Sequence, residues 1–81
     1  MSYTVINFKT KKALKEAVAN HAKQPRVNGE GFYPVRCFNP GLGGDLSNHT
    51  GTVYLEGPHY PKPHTWYAQA EMVDGIVIKV K

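Results

Sequence analysis

The chain has 81 residues, enough for one domain spanning 1–81 and too few for two. Its 41% hydrophobic and 20% charged residues exclude a disordered chain, and no apolar run approaches the roughly 20 residues that a membrane-spanning helix needs. Ten Lys/Arg against six Asp/Glu give a net charge of +4 at pH 7, a balance that favours acidic partners: nucleic acid or an acidic protein face.

Tyr3-Thr4-Val5-Ile6-Asn7-Phe8 is rich in β-formers and predicts a first strand. The start, Met1-Ser2-Tyr3-Thr4, lacks the charged and apolar regions of a signal peptide, so a cytoplasmic setting with no membrane partner is expected. Thr10 offers an N-cap, and Lys11 to Lys23 predict a helix with Leu14, Ala17, Val18 and His21 on its apolar stripe. Pro25 stops it, because proline has no amide hydrogen and biases Gln24 away from the α region. Residues 26–33 predict a connection turning at Asn28-Gly29.

Pro34 to Phe38 predict a short second strand with Pro34 at its start or on a sheet edge. Asn39 to Thr50 predict a loop. Gly51 opens a third strand, Thr52 to Glu56, in which Val53 and Leu55 share one face while Thr52, Tyr54 and Glu56 share the other. Gly57-Pro58-His59-Tyr60-Pro61-Lys62-Pro63-His64 holds three prolines and predicts a stiff loop. Thr65 to Met72 and Ile76 to Lys81 predict the last two strands.

Their hairpin turns at Asp74-Gly75. A three-residue loop, Val73-Asp74-Gly75, with Gly75 in the left-handed region and a bulge, would pair Met72 with Ile76, Ala70 with Ile78 and Ala68 with Val80, and so collect these side chains on one face. The same logic pairs Leu55 with Trp66 and Val53 with Ala68. The expected fold is α+β: one helix on a mostly antiparallel sheet of four to five strands, in the order β-α-β-β-β-β, with a C-terminal hairpin. The expected core is Val5, Leu14, Val18, Val35, Val53, Leu55, Trp66, Ala68, Ala70, Met72, Ile76, Ile78 and Val80.

Two surfaces are candidate sites. The outer face of the sheet would carry Tyr54, Tyr67, Lys79 and Lys81, and aromatics interleaved with lysines suit stacking on bases and neutralising phosphates. Glu56 and Glu71 share that face and oppose this use. The Gly57–His64 loop presents His59, Tyr60, Lys62 and His64 on a proline frame, a pattern suited to contacting a protein partner. His59 and His64 are spaced too widely for the helical His-x3-His pattern and lack paired cysteines, so neither a metal nor another cofactor is expected. Gly41-Leu42-Gly43-Gly44-Asp45 lacks the Lys-Ser/Thr and following helix of a phosphate-binding loop and predicts a flexible connection. Cys37, the single cysteine, excludes an internal disulfide and predicts a small buried hydrophobe rather than a nucleophile.

The run from Gly51 to Ala68, GTVYLEGPHYPKPHTWYA, together with Asp74-Gly75, Lys79-Val80-Lys81 and the Thr10–Val18 segment, resembles short uncharacterised proteins of bacteriophages and their bacterial hosts. That resemblance implies a small accessory protein that binds host machinery, and it implies no activity. The expectation is therefore a non-enzymatic binding protein that docks on a host protein through the histidine-proline loop. A nucleic-acid-binding domain that uses the Tyr54, Tyr67, Lys79 and Lys81 face, with the lysines of the helix, is the alternative, and a metal-dependent or Cys-His enzyme a third.

Overall fold

The computed structural model describes residues 2–39, 44–59 and 61–81. Among these residues it holds one helix and six short strands: β1 (Tyr3–Thr4), α1 (Lys11–Lys23), β2 (Cys37–Asn39), β3 (Gly44–Asp45), β4 (Gly51–Gly57), β5 (Trp66–Val73) and β6 (Ile76–Val80). The fold is α+β with a C-terminal hairpin. The strands divide into two antiparallel sheets, ordered β1-β2-β3 and β4-β5-β6, rather than one.

The helix has the predicted limits because its ends are chemically marked. The Thr10 hydroxyl accepts the Ala13 amide at 3.1 Å, and the Gln24 amide donates to the Asn20 carbonyl before Pro25. Leu14 and Val18, four residues apart, are buried and seat α1 on the sheet. The connection at 26–33 is itself a small hairpin. Asn28 and Gly29 both have positive φ, and Val27 and Glu30 exchange both backbone hydrogen bonds.

The first predicted strand is cut short. The Thr4 hydroxyl donates to the Ile6 carbonyl at 2.6 Å, a local bond that competes with the ladder and bends the chain. Val5 is consequently 58% exposed and not a core residue. The second strand begins only at Cys37, though the extended segment before it still contributes, since the Val35 carbonyl accepts the Val77 amide at 2.9 Å. Ser2 joins the sheets at the other end: its amide donates to Tyr54 and its carbonyl accepts from Glu56. The strands thus form a ring of backbone contacts around Leu14, Val35, Leu55, Ala70, Met72 and Val77.

The C-terminal hairpin corrects the predicted register. Val73 pairs with Ile76 and Met72 with Val77, so the loop is the two residues Asp74-Gly75, both at positive φ as a type I′ turn requires. A bulge follows: Glu71 pairs with Lys79 and Ala70 with Val80, leaving Ile78 as the extra residue. Val77 is therefore buried and Val80 partly buried, whereas Ile78 is 55% exposed and Ile76 only half-buried. The parity change expected at a bulged three-residue turn occurs instead two pairs further along, between Met72 and Glu71. The β4–β5 pairing also differs, with Gly57 opposite Trp66, Leu55 opposite Ala68 and Val53 opposite Ala70. This shift is an even number of residues, so the inward and outward faces keep their predicted members.

Candidate functional site

The outer face of the β4-β5-β6 sheet is built in cross-strand rows. Glu56 faces Tyr67; Tyr54 faces Gln69, whose carbonyl accepts the Lys81 amide; Thr52 faces Glu71, which faces Lys79. Tyr54 and Tyr67 are diagonal neighbours, a separation of roughly 7 Å between side-chain origins. Both are more than half exposed, at 58% and 57%. Lys81 and Lys11, the first residue of α1, join them around one shallow depression with Ala68 and Gln69. Lys79 stands apart from this group, in a second depression between α1 and β6 that it shares with Lys15 and Ile78. The structure thus brings together three of the four predicted residues, with pairings that differ from the predicted ones.

The two carboxylates on this face are engaged. Glu56 Oε1 accepts the Tyr3 hydroxyl at 2.5 Å, and its Oε2 lies 3.3 Å from His64 Nδ1. Glu71 accepts the Thr52 hydroxyl at 2.7 Å. The hydrogen bond to Glu56 raises the Tyr3 pKa above its ordinary value, with smaller contributions in the same direction from burial and from the Glu56 charge.

The histidine-proline loop is tied inward. The His59 amide donates to Asn7 Oδ1 at 3.0 Å, and its Nε2 lies 2.7 Å from the Thr4 carbonyl. A carbonyl only accepts, so Nε2 carries the proton. The His59 ring meets Tyr3 and Phe38 edge-on, each at 6.2 Å, and His64 lies 5.7 Å from Tyr3. Lys62 is exposed, and its amide closes a turn onto the His59 carbonyl. Tyr60 lies outside the described residues, as do positions 41–43 of the glycine-rich run; Gly44 and Asp45 of that run form β3.

Cys37 is buried, and burial pushes its thiol up to about 12, so it stays protonated at neutral pH. Among the described residues no three His, Cys, Asp or Glu side chains gather where they could hold a metal ion. His49 Nε2 is buried and has no hydrogen-bond partner among the described residues; it lies in a depression that also touches Ser2, Thr52 and Tyr54. Of the helix lysines, docking of α1 brings Lys11 to the tyrosines. Tyr3 has no local signal in the sequence, because its partner Glu56 lies 53 positions away.

No protein-family model matches the chain, and neither does any curated protein or solved structure. No helix among the described residues is long and apolar enough to cross a membrane.

Proposed function

We propose that this chain is a small non-enzymatic binding protein whose ligand is single-stranded nucleic acid, held on the face of Tyr54, Tyr67 and Lys81. One observation carries the reading: two exposed tyrosines share a depression with Lys11 and Lys81, while Glu56 and Glu71 on the same face accept hydrogen bonds from Tyr3 and Thr52. Aromatic faces stack on any base, and lysines beside them neutralise phosphates. The net charge of +4 adds long-range attraction. The Gly57–His64 loop supports docking on a host protein less directly, because His59 and His64 turn their ring nitrogens toward Thr4 and Glu56, leaving Lys62 as an exposed group at its tip. The resemblance to phage proteins is compatible with either ligand.

Fluorescence anisotropy with labelled oligothymidine and with duplex DNA, at two salt concentrations, tests the reading. The expected result is binding that favours the single strand and weakens with salt. Tyr54→Ala and Tyr67→Ala should each cost about 1–3 kcal/mol of affinity. Absence of salt-sensitive binding at micromolar protein would remove the proposal.

A further inference from the structure

We infer that a bound strand continues past the tyrosines along the seam between α1 and β6, its phosphates passing between Lys11 and Lys15 on the helix and Lys79 and Lys81 on the strand side. The inference rests on the nucleic-acid reading above and lengthens its site.

The same two elements bank both depressions. The first takes Lys11 from the start of α1 and Lys81 from just beyond β6. The second takes Lys15 and Lys79, with Val18, Ala22, Ile78 and Val80 as its apolar floor. Lys11 and Lys15 are one helical turn apart and Lys79 and Lys81 two strand positions apart, so each bank repeats its charge at roughly 6–7 Å. A repeat of this kind on both sides of a shallow trough complements a chain of phosphates better than it complements a single anion.

Among the described residues none of the four lysines is in an ion pair. The acidic side chain nearest in register, Glu71, lies opposite Lys79 on β5 and accepts the Thr52 hydroxyl. The bulge contributes as well. It leaves Ile78 as the extra, outward residue of β6, which adds apolar floor to the trough beside Lys79.

The test is anisotropy with labelled oligothymidines of increasing length, on the intact chain and on Lys15→Gln/Lys79→Gln. Both lysines are exposed, and circular dichroism of the variant is the check that it folds. The intact chain should gain affinity once the oligonucleotide outgrows the tyrosine depression, and the variant should lose that gain. Two lost phosphate contacts on a single strand lower the slope of log K against log salt by about 1.4, or about 25-fold in affinity at roughly 0.1 M salt. A control, Lys12→Gln/Lys62→Gln, removes the same charge from exposed positions that line neither depression and should leave the slope unchanged. Intact affinity in the seam variant while Tyr54→Ala still weakens binding would overturn the track and leave the nucleic-acid reading standing. An equal loss in the control would also overturn it, since overall charge would then account for the effect. Failure of the intact chain to bind any oligonucleotide would remove both.

Discussion

Glu56 stands on the outer face of β4 opposite Tyr67, yet its carboxylate is turned to Tyr3 and His64. One carboxylate oxygen accepts the Tyr3 hydroxyl and the other lies 3.3 Å from His64 Nδ1, so both are directed at groups other than Lys11 and Lys81. The same bond links Tyr3 to stability. The folded chain holds the Tyr3 proton more tightly than the unfolded one, so the contribution is complete below the ordinary value of 10.0 and is lost as pH rises through the raised folded value. Urea melts at a series of alkaline pH values should therefore show the intact chain losing its advantage over Tyr3→Phe above about pH 10. A constant difference between the two across that range would separate Tyr3 from the pH dependence.

At the scale of elements, α1 and the C-terminal hairpin are specified over different ranges of the chain. Every signal for α1 is local: Thr10, the Leu14/Val18 spacing, Pro25. The hairpin register depends on which residue of β6 is left over, and Ile76, Val77, Ile78 and Val80 are all apolar. Composition alone cannot rank them. The bulge at Ile78 makes Val77 a core residue and Ile78 a surface one. Val77→Ala should cost about 2 kcal/mol, from lost burial plus the cavity left behind. Ile78→Ala should stay within about 0.5 kcal/mol, as surface changes do. Chemical denaturation of both variants checks this, and the reverse order would restore the register read from the sequence.

For the whole molecule, the turn at Asp74-Gly75 is held by a distant part of the chain. The Gly75 amide donates to the His49 carbonyl, the Asp74 amide donates to the Thr50 hydroxyl, and a Cβ at Gly75 would fall on the Ser47 carbonyl. Gly29 supplies an internal comparison. It has nearly the same φ, +82° against +80°, but nothing within 4 Å of its would-be Cβ. Gly29→Ala should cost about 1–2 kcal/mol, the strain of a left-handed residue alone. Gly75→Ala should cost more, because the 47–50 connection must also move, and thermal melts of the two variants measure the difference. Equal losses would mean that the docking contributes nothing.

The α+β class, the limits of α1 and the inward and outward members of β4 and β5 were legible in the sequence, because capping, helix spacing and strand alternation act between near neighbours. Tyr54, Tyr67 and Lys81 were found for that reason: alternation survives an even shift of register. Only the tertiary structure decided which residues these meet. Lys11 reaches the tyrosines because Leu14 and Val18 seat the helix, Glu56 is occupied because Ser2 draws β1 against β4, and the strands form a ring because Val35 bonds Val77. Each is a contact between segments far apart in the chain, settled by packing around a shared core.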